Sequence, residues 1–343
     1  MSIRPRTTTA GIVLAIAAAL LTVLLAILVS SRQPVQTITE FLFGPGRNTF
    51  ALGNFLSRAT LLAITGAGVV VAFRAGVFNL GGEGQTYLGA LLTGIILTAL
   101  APVVTGTVTT VAVQLLAVVT ALSAGALLAG VSGWLRYRTG ADELITSFLL
   151  SAATIPVVDY LISGPLRDPA SNLLATVAIP EAARLSRLLP PSAFNSAVIW
   201  AVFVVVLLYF VMNWTLFGYE LRITGYNHDL ARFSGISVGV YTTVPMALSG
   251  ALHGLAGAAL VMGVHFRSIR GFSGGLGWNG IAVALIARNN PALVIPAALF
   301  FAFLDAGSRA AVVHTQATWE LGSLIQGVVF LFVTVRLLQG GRG

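Results

Sequence analysis

Phe73-Arg-Ala-Gly-Val-Phe-Asn-Leu-Gly-Gly-Glu-Gly-Gln85 interrupts apolar sequence on both sides, and so does Phe266-Arg-Ser-Ile-Arg-Gly-Phe-Ser-Gly-Gly-Leu-Gly-Trp278. An offset of 193 positions lays Val71, Phe73, Arg74, Gly81, Gly82 and Gly84 on Val264, Phe266, Arg267, Gly274, Gly275 and Gly277. In lipid each unpaired peptide group costs several kcal/mol, so irregular backbone survives only where protein buries it or a wet cavity solvates it. Two such breaks, matched between two halves of a chain, imply a solute pathway between repeats.

The composition agrees with a bilayer. Hydrophobic residues make up 57% of 343 positions and charged ones 9%, with a mean hydropathy of +0.92. A soluble domain carries about 25% charged residues. There is no cysteine, which excludes disulfides, thiolate nucleophiles and cysteine metal sites. All nineteen basic residues are arginine. Without lysine there is no Walker-A loop to grip nucleotide phosphates, so any ATPase driving this protein is another chain. The net charge of +8 comes from arginines scattered singly between apolar runs. Nucleic-acid binding needs a basic stripe; loop orientation and membrane lipid headgroups are the expected uses.

With about 20 apolar residues per span, ten helices are expected, near 10–30, 55–73, 84–101, 107–134, 143–163, 196–214, 241–265, 278–288, 292–310 and 320–338. The first is read as an uncleaved helix rather than a signal peptide, because its apolar core is longer than the 7–15 residues of a secretory segment. The eighth is short, as a half-helix after a break would be. The expected fold is an all-α polytopic membrane protein, a single transmembrane domain over residues 1–343 in two inverted-repeat-like halves with broken helices. With the N-terminus inside, the loops 135–142 and 215–240 fall in the cytoplasm. The proline-rich loop 164–195 then falls outside as an ordered, turn-rich segment.

In the first break Phe78, Asn79, Glu83 and Gln85 are candidates for a solute pathway. An ionisable residue within the membrane is expensive and is a functional hypothesis by default. Gly81, Gly82 and Gly84 let the chain turn and leave amides free at a positive helix start. The plainer reading of Glu83 is a first-turn carboxylate paired with Arg74 or backbone amides. The second break offers Phe272, Ser273, Trp278 and Asn279, whose rings, hydroxyl and amide suit a flat ligand carrying hydroxyls, such as a nucleoside. His253 could relay protons; the small residues at 250, 254 and 257 more simply permit close helix contact, with His253 bonding a neighbouring helix. Asp159 and Asp305 are read as interfacial residues near span ends. His228, His253, His265 and His314 show no metal-ligand spacing, no Gly-x-Ser-x-Gly elbow within an expected span supports a hydrolase, and no catalytic residue is expected. In the 215–240 loop Asn227 can cap a short helix that Gly235 ends, a helix needing a partner to bury Leu230 and Phe233.

These segments resemble the permease subunits of ABC importers of the branched-chain amino acid and ribose type, above all the nucleoside and simple-sugar group. Arg74–Gln85 follow that family's Arg-Ala-Gly-Val-Phe-Asn-Ile-Gly-x-Glu-Gly-Gln, with Leu80 for isoleucine. Gly140-Ala-Asp-Glu-Leu-Ile-Thr146 is similar to its Gly-Ala-Asn-Glu-Val-Ile-Thr. Gly225–Ile236 is similar to the cytoplasmic element that docks on the ATPase, with Leu230 for an alanine; Gly271–Pro291 is similar to the second break and the loop after it, with Asn290 for histidine.

The resemblance implies ATPase coupling through Gly225, Asn227, Ala231 and Gly235. It implies an ATP-binding partner carrying ATP and Mg, with no cofactor in this chain. A second permease subunit, a paralogue, and an external substrate-binding lipoprotein complete the implied assembly in a bacterial inner membrane. The implied cargo is a nucleoside or a related small polar solute, with sugar or riboflavin as variants, and no chemical step occurs here. The competing expectation is an ion-coupled secondary transporter in which Glu83 or His253 titrates.

Overall fold

The computed structural model describes residues 31–315 and seven single positions beyond them. The helices expected at 10–30 and 320–338 lie outside the described residues. Between them the chain is helical: α1 (Pro34–Phe43), α2 (Thr49–Arg74), α3 (Gly82–Ala99), α4 (Thr107–Thr139), α5 (Glu143–Ser163), α6 (Ala197–Trp214), α7 (Leu216–Tyr226), α8 (His228–Phe233), α9 (Val238–Leu260), α10 (Leu276–Ile286) and α11 (Val294–His314). Among the described residues there is no strand, only isolated bridges. Among the described residues six helices are long and apolar enough to cross a membrane. The helix expected over 84–101 starts two residues earlier, ends at Ala99, and is not among the six. Its first turn carries Gly82, Glu83, Gly84 and Gln85, which dilutes the apolar run.

One compact unit comprises the described residues up to Ala59 and from Leu299 on; the other spans Thr60–Ala298. In the first, Phe41 and Phe55 set ring edges against Phe303, with centroids 6.1 and 6.4 Å apart. Asp305 belongs to this unit and lies in the middle of α11 rather than near a span end. It pairs with Arg58 at 3.4 Å and Arg309 at 3.0 Å, because a carboxylate away from water needs a counter-charge.

The second unit is built on close approach of small residues, as expected for helices in lipid. A Cβ placed on Gly250 would sit 2.1 Å from the carbonyl oxygen of Gly125, and one on Gly254 equally close to that of Ala121. Backbones of α9 and α4 therefore touch directly. Gly257 approaches Thr86 of α3 in the same way, at 2.3 Å. Elsewhere α6 leaves Ile199, Phe203 and Phe210 exposed, an outer face suited to hydrocarbon.

Candidate functional site: the junction of two broken helices

The chain leaves α2 at Arg74, runs without helix through residues 77–81 and restarts at Gly82. Its freed amides find acceptors on one face of α5. Phe78 donates its N–H to Glu143 Oε1 at 3.0 Å, Leu80 to Ser147 Oγ at 3.1 Å, and Gly84 to Ser151 Oγ at 2.7 Å. Residues four apart stack along a helix, so 143, 147 and 151 form one polar ladder in an apolar rod. Glu143 is 1% exposed and its other oxygen pairs with Arg136 of α4, which neutralises the buried charge. The sequence reading missed this ladder. Its four-residue spacing was the available signal, but a serine in an apolar helix more simply bonds its own preceding turn.

Asn79 locks the break from within. Its amide nitrogen donates to Gln85 Oε1 at 2.8 Å and to Ser249 Oγ at 2.9 Å, while its oxygen accepts from the Gly81 and Gln85 nitrogens, both at 2.9 Å. Asn79 and Gln85 are each 1% exposed.

The second break follows a π-helical turn, Val261–His265, and begins at Phe266 in a left-handed conformation with φ of 58°. It ends where α10 starts. There the two breaks meet: Glu83 accepts a hydrogen bond from the Ser273 hydroxyl through Oε1 and, at 2.8 Å, from the Gly277 N–H through Oε2. The approach needs glycine, because a Cβ on Gly277 would lie 2.3 Å from both Glu83 N and Gly82 C. Gly84 and Gly277, matched by the sequence offset, thus both have their helix-start amides taken by side chains from other elements. A carboxylate at such a positive end is favourable.

Arg74 is not the partner of Glu83. It turns the other way, donating through Nε to the Asn289 carbonyl at 2.8 Å. His253 Nδ1 is 2.8 Å from the Ser249 carbonyl of its own helix. A carbonyl only accepts, so Nδ1 carries the proton. The ring edge presses on the first break, where a Cβ on Gly82 would be 2.4 Å from Nε2.

The remaining candidates separate by burial. Glu83 and Ser273 are buried with Asn79 and Gln85, whereas Phe78 and Trp278 are 45% and 39% exposed. Phe78 lies against Phe73 at 4.9 Å and Trp278 edge-on to Phe148 at 5.9 Å. Phe272, half-buried, stacks at 4.6 Å on Tyr87. Asn279 is half-buried on the first turn of α10.

The 215–240 segment carries one helix more than expected, α7, followed at once by α8. Asn227 caps α8, accepting from the Asp229 and Leu230 amides at 2.9 and 3.0 Å. Ala231 is buried; Tyr226 and Phe233 are 86% and 91% exposed. Gly235 has φ of 78° just after the helix. Gly225 packs on the corner where α2 ends, since a Cβ there would be 2.2 Å from the Arg74 carbonyl oxygen. The last turn of α7 is therefore in backbone contact with the start of the first break. Among the described residues no group of three or more His, Asp or Glu could hold a metal ion.

Residues 51–334 match the family described as branched-chain amino acid transport system / permease component, and the chain belongs to it. It is 33% identical over 310 residues, 90% of this chain and 81% of the other, to a probable riboflavin import permease protein of Treponema pallidum. To a glucose ABC transporter permease protein of Haloferax volcanii it is 33% identical, over 83% of this chain and 76% of that one. A guanosine ABC transporter permease protein of Bacillus subtilis is 29% identical, with 85% of this chain and 84% of that one covered.

Proposed function

We propose that this chain is the membrane-spanning permease subunit of an ATP-driven ABC importer, residing as a single multi-pass domain in a bacterial inner membrane. Its partners are an ATPase subunit that binds ATP and Mg, a second permease chain, a paralogue, and an external substrate-binding lipoprotein. The cargo is a nucleoside or a related small polar solute, a sugar or riboflavin among them. Relatives named for riboflavin, glucose and guanosine support this class. The ten-helix, inverted-repeat topology belongs to the same reading.

The observation that carries it is the junction itself: Glu83 ties the two broken helices at Ser273 and Gly277. A hydrogen-bonded joint between two half-helices can open and close with no chemistry done on the solute. Phe78 and Trp278, exposed beside that joint, offer faces on which a planar solute stacks, and Phe272 and Asn279 flank them. Asn79 and Gln85 hold the shape of the first break. Coupling enters through Gly225, Asn227, Ala231 and Gly235, because α7 and α8 expose Tyr226 and Phe233 while Gly225, in the last turn of α7, touches the end of α2.

Purified permease with its ATPase, in vesicles containing trapped ATP, tests the reading. Uptake of nucleoside, sugar or flavin should require ATP and the binding protein. Replacing Gly235 by leucine should leave ATP hydrolysis while uptake falls at least tenfold. Uptake that persists without an ATPase and collapses with a protonophore would instead support ion coupling through Glu83 or His253.

A further inference from the structure

The two breaks are held by different kinds of bond. Side chains of α5 and Asn79 hold the first; the second is sewn to the 164–195 segment by main chain. Leu185 N–H donates to the Met262 carbonyl at 2.9 Å, Ile179 N–H to that of Phe266 at 2.8 Å, and Thr176 N–H to that of Ser268 at 2.9 Å. In return Arg270 N–H donates to the Leu174 carbonyl at 2.9 Å and Ser268 N–H to the Thr176 hydroxyl at 3.1 Å. Ala175 and Ile269 form an antiparallel bridge. Apolar packing runs across the same seam, with Ile179 and Ala183 in one cluster with Val261, Met262 and Phe266. At its centre the left-handed Phe266 lies under two guanidiniums, Arg184 at 4.7 Å and Arg187 at 5.4 Å from the ring centroid. A left-handed aromatic residue is an unfavourable backbone state that persists only where its surroundings hold it.

We propose that residues 174–187 and the second break move as one body during transport, with Arg184 and Arg187 acting as positioning residues that clamp Phe266. The proposal rests on the importer reading above and adds a route: force applied to this segment reaches Ser273, Gly277 and hence Glu83. Arg184 also lies 3.8 Å from Glu181 and Arg187 donates to the Pro191 carbonyl at 3.4 Å, and no solute is required at them. A loop meant to lift away from the break would not engage it with five hydrogen bonds and a shared apolar cluster.

The chain has no cysteine, so a pair can be introduced cleanly. Residues facing each other across an antiparallel bridge have Cα atoms about 4.5–5.5 Å apart, within disulfide reach. In A175C/I269C, oxidation should leave solute uptake within about twofold of the reduced protein. Loss of uptake on oxidation that reductant restores would overturn the proposal, since the segment would then have to part from the break. In R184A/R187A, assembled with the ATPase, stimulation of hydrolysis by solute-loaded binding protein should fall at least tenfold while basal hydrolysis is kept. Undiminished stimulation would overturn the clamp. Should that variant not assemble, R184K/R187K keeps the charge but not the planar stacking, and the same fall in stimulation is expected of it; unaltered stimulation would sink the clamp. If wild-type uptake needs no ATPase, the importer reading fails, while the disulfide experiment still tests the single-body claim.

Discussion

The Glu83 carboxylate and the Gly277 amide, 194 residues apart in the chain, meet at 2.8 Å, so a side chain at the start of one broken helix closes the open end of the other. The bond joins a buried carboxylate to a peptide N–H. Such bonds contribute about 1.5–3 kcal/mol each, and this one is shared with the Ser273 hydroxyl.

Glu83→Gln keeps the shape and removes the charge. One acceptor oxygen remains, and an amide NH2 now faces Ser273 or the Gly277 N–H. The protein should insert and purify with a melting temperature a few degrees lower, the scale expected for 1–2 kcal/mol in a chain of this size. Uptake in vesicles should fall at least tenfold, and further for Glu83→Ala. Wild-type melting and uptake in both variants would remove the joint from the mechanism.

Ser151→Ala leaves the Gly84 N–H without its acceptor. A buried amide stranded in this way costs about 1–3 kcal/mol. Thr154 supplies the comparison, because its hydroxyl returns to the Leu150 carbonyl of its own helix at 2.7 Å. Thr154→Val should change stability by no more than about 0.5 kcal/mol. Thermal or denaturant melts of the two variants in detergent should separate them clearly; equal losses would count against the α5 ladder as the support of the first break.

Gly225→Ala drives a methyl group to within 2.2 Å of the Arg74 carbonyl oxygen. The contact is backbone to backbone, so a rotamer change cannot relieve it. The variant should still assemble with its ATPase, since Tyr226, Leu230 and Phe233 are untouched. Solute moved per ATP hydrolysed should drop several-fold. Gly46→Ala, where a Cβ meets nothing within 4 Å, should behave as wild type.

Phe233→Ala tests the docking surface. The side chain is 91% exposed, so its removal should leave the melting temperature within error. Co-purification of the ATPase subunit should fall sharply. Intact co-purification would assign docking elsewhere on the α7–α8 segment.

The sequence displayed the breaks because glycine is what a close backbone approach requires, and Gly277 against Glu83 is such an approach. The cap on α8 was equally visible: Asn227 followed by Asp229 is a local signal needing no tertiary knowledge. What holds the breaks was hidden for two physical reasons. Glu143, Ser147 and Ser151 accept from the backbone of another segment, and nothing local distinguishes such a serine from one bonded only to its own turn. The seam between 174–185 and 262–270 is made largely of peptide groups, which every residue carries, so composition and motif are silent about it. Of the two partners read for Glu83, a backbone amide is the one found and Arg74 is not: its guanidinium donates through Nε to a carbonyl from a distant loop.

Asn79 has both amide hydrogens and both oxygen lone pairs occupied by protein neighbours. A side chain so fully engaged has nothing left to grip a passing hydroxyl. On the proposed function, cargo preference then falls to the accessible rings of Phe78 and Trp278, and retuning it by substitution there should leave the first break undisturbed.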